Sequence, residues 1–208
     1  IATRSRLMKA LSGHGAMALL EADAATADAL VRAHPGLSTA VYASPRQCVV
    51  AGPPEQVDAV IAEVTARNLL ARRVEVDVAS HHRTVDPILD DLRAALADLA
   101  PRRPTIPRVS TVEESQTAPV PDAAYWVRNL RNPVRFGDAI TRAAADHSTF
   151  IEISPHPLLT HSIGDTLAAA RPDGDVEVLG TLVRGEDETL TFHLSLIHIS
   201  EPTRRYAI

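Results

Sequence analysis

Leu37-Ser38-Thr39-Ala40-Val41-Tyr42-Ala43, then Ser44-Pro45-Arg46-Gln47, then Cys48-Val49-Val50-Ala51 reads as two short strands joined by a turn. The first run is rich in β-branched and aromatic residues, the middle four are turn formers, and the return is apolar. On the N-terminal side, 24–33 reads as a helix stopped by Pro35-Gly36, and 15–21 as a buried strand. On the C-terminal side, Pro54 opens a helix over 55–69, with Val57, Val60, Ile61 and Val64 at helical spacing. Residues 73–78 then alternate as a strand.

The order strand, helix, strand, strand, helix, strand is the split βαβ arrangement of a ferredoxin-like unit. Before it, Leu7, Ala10 and Leu11 make the apolar stripe of a helix that Ile1 enters directly, as at a fragment boundary. After it, a helix is predicted over 85–99, a proline- and arginine-rich connector over 101–107, and a strand over 108–112. A polar, turn-rich stretch fills 113–121, and helices follow over 122–129 and 132–144, the second with Pro133 in its first turn. A strand over 149–153, a Ser-Pro-His-Pro turn, a helix over 158–169 and a strand over 176–182 complete the reading. This half alternates strand and helix, as a layered α/β domain does.

The 208 residues are enough for one or two domains with a real core, and 45% hydrophobic with 23% charged residues is the balance of a folded globular chain. The formal charge of −5 argues against nucleic acid as a partner. No apolar run approaches the roughly 20 residues of a membrane span, and no signal peptide opens the chain. The single cysteine, Cys48, excludes an intrachain disulfide framework and a cysteine-rich zinc module, and its strand context marks it as a small buried hydrophobe. The string Leu194-Ser195-Leu196-Ile197-His198-Ile199-Ser200-Glu201-Pro202-Thr203-Arg204 resembles the translation of a sequencing adapter used in transposase-based library preparation. We therefore set 194–208 aside as sequencing-adapter read-through.

Val78-Ala79-Ser80-His81 ends a strand and precedes a helix, where α/β sheets place their sites. A histidine there can face a cleft. His82 follows it, but adjacent residues do not converge on one metal from a strand, and no acidic or thiol partner has ligand spacing, so no metal site is expected.

Four blocks carry a resemblance over most of the chain: Thr3-Arg4-Ser5-Arg6 ahead of Gly15-Ala16-Met17; Val76-Asp77-Val78-Ala79-Ser80-His81; Tyr125-Trp126-Val127-Arg128-Asn129-Leu130-Arg131-Asn132-Pro133-Val134-Arg135-Phe136; and Phe150-Ile151-Glu152-Ile153-Ser154-Pro155-His156-Pro157-Leu158-Leu159. In order and spacing they resemble the acyltransferase domain of modular type I polyketide synthases, within the malonyl-CoA:carrier-protein transacylase superfamily. Details such as VASHH followed by Asp86-Pro87-Ile88-Leu89 look most like actinobacterial synthases of cell-envelope lipids, such as mycocerosic acid synthase.

The resemblance implies an α/β class fold: the C-terminal part of an α/β-hydrolase-like large subdomain with an inserted ferredoxin-like (α+β) subdomain. It divides the chain into 1–14 (large subdomain), 15–78 (ferredoxin-like insert), 79–170 (large subdomain resumed), 171–193 (linker) and 194–208 (read-through). It implies ping-pong transfer of a malonyl-type unit from acyl-CoA, through an acyl-serine, to the phosphopantetheine thiol of an acyl carrier protein, with no bound cofactor. His81 matches the general base and acid, and Asn129 the position whose backbone carbonyl orients that histidine. Arg4 matches the arginine that binds the free carboxylate, for which a planar guanidinium is suited. Val78 and Ser80 match the positions that shape the extender pocket. Ser80 leaves room for an α-substituent where a phenylalanine would not, which favours methylmalonyl, then ethylmalonyl. Implied partners are acyl-CoA, the carrier protein and a neighbouring ketosynthase domain, in the cytoplasm. No GxSxG occurs in the 208 residues, so the nucleophile is expected upstream of Ile1 and the chain by itself is expected to be inactive. A free-standing malonyl-CoA transacylase, and a non-catalytic ferredoxin-like module that binds carrier protein, are the competing readings.

Overall fold

The computed structural model describes residues 1–112 and 119–200. Residues 113–118 of the turn-rich stretch and 201–208 of the tail lie outside the described residues. The chain divides into two compact units, Ile1–Arg142 and Ala143–Ile208.

The first unit opens with helix α1 (Ala2–Met8) and a 3-10 turn, Lys9–Leu11. Strand β1 (Ala16–Leu20), helix α2 (Ala24–Ala33), strands β2 (Ser38–Ser44) and β3 (Gln47–Gly52), helix α3 (Pro54–Ala66) and strand β4 (Ala71–Arg73) follow. Two helix starts have a local cause. Asp23 caps α2 by accepting the Thr26 N–H at 2.7 Å, and Pro54 takes the first position of α3, where no backbone donor is needed.

The sheet order is β4-β1-β3-β2, with antiparallel neighbours, and a two-residue strand β5 (Val134–Arg135) adds in parallel beside β2. This is the ferredoxin-like order anticipated from the hairpin. Strand alternation divides the two faces. Ala16, Ala18 and Leu20 of β1 and Val50 of β3 face Leu30 of α2 and Val57, Val60 and Val64 of α3, all buried. On another part of the sheet, Ala40 and Ala51 pack with Ala79.

Past β4 the structure departs from the sequence reading. The strand expected over 73–78 is only Ala71–Arg73, and residues 74–79 are irregular. The register pairs Arg73 with Ala18, so β1 runs out of residues within three further positions, and alternation without a partner strand makes no ladder. The helix expected over 85–99 is a 3-10 turn, Arg83–Ile88, followed by α4 (Leu89–Ala95). Pro87 lies inside that turn and has no N–H to contribute to an α-helical ladder. Residues 108–112 form no strand, although the Thr111 carbonyl accepts the Arg135 N–H at 2.9 Å. Helix α5 (Ala123–Arg131) is capped by Asp122. The next helix, α6 (Phe136–Ala143), starts three residues later than Pro133, because Asn132 before that proline is extended.

A second apolar cluster, Val85, Ile88, Leu92, Val127 and Leu130, joins the 83–88 turn, α4 and α5, with Leu7 and Met8 of α1 packed against it. Asp86 and Arg131 form an ion pair across the same seam.

The second unit has parallel strands β6 (Thr149–Glu152) and β7 (Glu177–Gly180), with α7 (Thr160–Ala170) as the crossover. Helix α8 (Glu188–Ser200) runs across Leu194 without a glycine or proline to break it. Among the described residues no helix is long and apolar enough to cross a membrane.

Candidate active site

The turn carrying His81 lies between two of the apolar clusters of the first unit. Ala79 is buried against Ala40 and Ala51, while Val85 is buried against α4 and α5. Gly15 permits this docking. A Cβ built on it would stand 2.2 Å from the Ala79 nitrogen and 2.7 Å from the Ala79 Cβ. Glycine is therefore required for close backbone approach.

His81 has φ +63°, one of two non-glycine residues with positive φ among the described residues. The left-handed conformation costs a non-glycine residue about 1–2 kcal/mol, and such outliers concentrate at functional sites. Two bonds to the C-terminal end of α5 hold it. Its backbone N–H donates to the Leu130 carbonyl at 3.0 Å, and its Nδ1 lies 2.8 Å from the Asn132 carbonyl. A carbonyl only accepts, so Nδ1 carries the proton and Nε2 keeps a free lone pair. Burial pushes the imidazole pKa down, the Arg4 charge adds to this, and the Asn132 carbonyl opposes it. The ring is therefore neutral at pH 7 and able to accept a proton at Nε2.

The orienting carbonyl is that of Asn132, not of Asn129 as expected. Asn129 is inside α5, where carbonyls point along the helix axis. Asn132 is the C-cap, with φ −83° and ψ 157°, which frees its carbonyl to turn aside. The Asn132-Pro133 dipeptide was the available signal, since a residue before proline is driven to extended backbone. Asn129 uses its side chain instead: its Oδ1 accepts from an Arg4 terminal nitrogen at 3.4 Å, and Arg4 Nε donates to Met8 Sδ at 3.4 Å. Arg4 is half-buried, and burial lowers its pKa, yet guanidinium remains charged. The structure thus brings Arg4, Asn129 and His81 together. Val78 and Ser80 flank buried Ala79 and are themselves half-buried.

Cys48 is fully buried, and its thiol is pushed up to about 12, mainly by burial, so it is no nucleophile near neutrality. No group of three or more His, Cys, Asp or Glu side chains stands ready for a metal among the described residues.

In the second unit, sequence reasoning missed Glu152. It is 8% exposed, and its carboxylate accepts the N–H groups of Leu158, Leu159 and Thr160 at 2.8–3.0 Å and the Ser154 hydroxyl at 2.9 Å. Burial alone would raise its pKa, but these donors outweigh it and the net shift is downward. Glu152 therefore organises the entry to α7. His156 serves the same turn, accepting the Arg184 N–H at Nδ1.

An oriented neutral histidine thus stands beside a guanidinium, an arrangement able to accept a proton next to a fixed positive charge. Residues 1–202 match the acyl transferase domain family, and the chain belongs to that family. Among curated proteins, the chain is 62% identical over 196 residues to a phenolphthiocerol/phthiocerol polyketide synthase polypeptide of Mycobacterium tuberculosis (strain CDC 1551 / Oshkosh), covering 94% of this chain and 10% of that protein. It therefore spans about a tenth of the length of that curated relative. The acyltransferase domain of the Mycobacterium tuberculosis polyketide synthase PpsC superposes with TM-score 0.85 at 50% identity, over 88% of this chain and 57% of that one. The acyltransferase domain from module 8 of the salinomycin polyketide synthase gives TM-score 0.87 at 35% identity, over 94% and 46%. The fold is thus that of a polyketide synthase acyltransferase domain, with the ferredoxin-like sheet described above.

Proposed function

We propose that this chain supplies the base and the carboxylate clamp of a synthase acyltransferase that loads a methylmalonyl-type unit on an acyl carrier protein. The observation that carries this reading is the Nδ1 bond from His81 to the Asn132 carbonyl, which leaves Nε2 as the proton acceptor. In the complete domain a serine from outside these 208 residues attacks the thioester of the acyl-CoA. His81 Nε2 takes the hydroxyl proton as the serine oxygen bonds to the acyl carbon, and that proton passes to the departing CoA sulfur. In the second half the phosphopantetheine thiol gives its proton to Nε2 and its sulfur takes the acyl group, and the serine oxygen recovers the proton. Arg4 holds the free carboxylate in a two-pronged bond, and Asn129 braces Arg4. This gives Asn129 a substrate-side role.

Within this reading, 15–78 is the ferredoxin-like insert, 1–14 and 79–170 belong to the large subdomain, 171–193 is the following linker, and 194–208 is not native. The enzyme works in the cytoplasm beside a ketosynthase domain. Val78 and Ser80 set the extender, with methylmalonyl preferred. The test completes the domain with the preceding segment of the PpsC acyltransferase domain and weighs the intact protein after exposure to malonyl-CoA or methylmalonyl-CoA. A methylmalonyl adduct on the completed domain, none on the 208-residue chain alone, and a swing toward malonyl in Ser80→Phe support the reading. An adduct on the chain alone, or none on the completed domain, contradicts it.

A further inference from the structure

His82 is 1% exposed and follows His81 directly in the chain. Its Nδ1 accepts the Thr84 N–H at 3.2 Å, capping the 83–88 turn, and lies 3.3 Å from the Thr84 hydroxyl. That hydroxyl donates to the Ala79 carbonyl at 3.1 Å. The two bonds tie the backbone on either side of His81, from residue 79 to residue 84. His81 itself sits inside this tie at φ +63°, a conformation that an unconstrained histidine leaves. A serine or threonine would cap the same turn with fewer buried atoms. The imidazole instead is fully enclosed beneath the turn, at 1% exposure.

We propose that His82 is a positioning residue: with Thr84 it latches the 79–84 turn and thereby keeps His81 in the left-handed conformation that aims Nδ1 at the Asn132 carbonyl. The latch works only while His82 is neutral, because a protonated Nδ1 cannot accept the Thr84 N–H. Burial favours the neutral ring, and the Arg83 and Arg131 charges add to this. The backbone of Gly36 and the carboxylate of Asp86 oppose it.

The catalytic meaning of this inference rests on the acyltransferase reading, but its test does not. Imidazole nitrogen NMR on the 208-residue chain reports the tautomer and titration of His81 directly. The expected wild-type signature is a single Nδ1–H tautomer. In His82→Leu that signature is expected to give way to a tautomer mixture, with the His81 pKa rising toward the ordinary value of about 6.5. His82→Asn, whose side-chain oxygen can accept the Thr84 N–H, is expected to restore it. Thr84→Val, which keeps the N–H and loses only the hydroxyl, is expected to weaken it and decides the matter if His82→Leu does not fold. An unchanged His81 tautomer and pKa in folded His82→Leu, or in Thr84→Val if that is the variant that folds, overturns the latch. A completed domain that takes up no acyl group while His81 keeps its signature counts against the acyltransferase reading and leaves the latch standing.

Discussion

At the scale of single residues, the arrangement turns on which groups face His81. Because the Arg4 cation helps hold the imidazole pKa down, Arg4→Met should raise that pKa, by NMR titration, while burial still keeps it below the ordinary histidine value. An unchanged titration would separate Arg4 from the site. The downward shift also fixes a sign for stability. The unfolded chain binds a proton at His81 more readily than the folded chain does, so the full stability is present above about pH 6.5 and falls as pH drops through the folded pKa. The orienting group is a backbone carbonyl, so Asn132→Ala should leave the His81 tautomer intact, read by the same nitrogen shifts. Asn129→Ala should instead loosen Arg4 and raise KM for the acyl-CoA in a completed domain more than it lowers kcat.

At the scale of elements, two joints can be tested by unfolding. Gly15→Ala places a Cβ against backbone that cannot move aside as a flexible side chain would, and overpacking of this kind costs about 1–3 kcal/mol in urea denaturation. A neutral substitution would mean the turn does not pack against β1 as described. Glu152→Ala strips the N–H groups of Leu158, Leu159 and Thr160 of their acceptor at the entry to α7, and loss of such a capping acceptor costs about 0.5–2 kcal/mol in urea denaturation. The carboxylate's lowered pKa makes its contribution present above the ordinary glutamate pKa of about 4.3 and lost as pH falls through the folded value. The hairpin and its flanking helices were legible because alternation, Pro54 and Pro35-Gly36 are local signals. The 74–79 segment was not, because its alternation says nothing about where a partner strand ends. The His81–Asn132 bond joins residues 51 positions apart and uses backbone, so it left only the Asn132-Pro133 hint. Glu152 was hidden because its partners are N–H groups that every residue carries.

At the scale of the whole molecule, β6 and β7 form a two-stranded parallel sheet, and Ile151, Ile153, Leu158 and Leu159 around it are exposed, at 40, 85, 74 and 43%. Parallel sheets are normally covered on both faces, and two strands alone are marginal. This fits a chain that covers 57% of the PpsC acyltransferase domain. The proposed role of His81, as base for a serine from outside these residues, is tested most directly by the rate of acyl transfer to a carrier protein in the completed domain, with and without His81→Ala. Losing a positioned general base should lower the rate by about 10²–10⁴-fold while the variant keeps the parent's unfolding midpoint. A His81→Ala domain that folds and transfers at the parent rate would contradict the account.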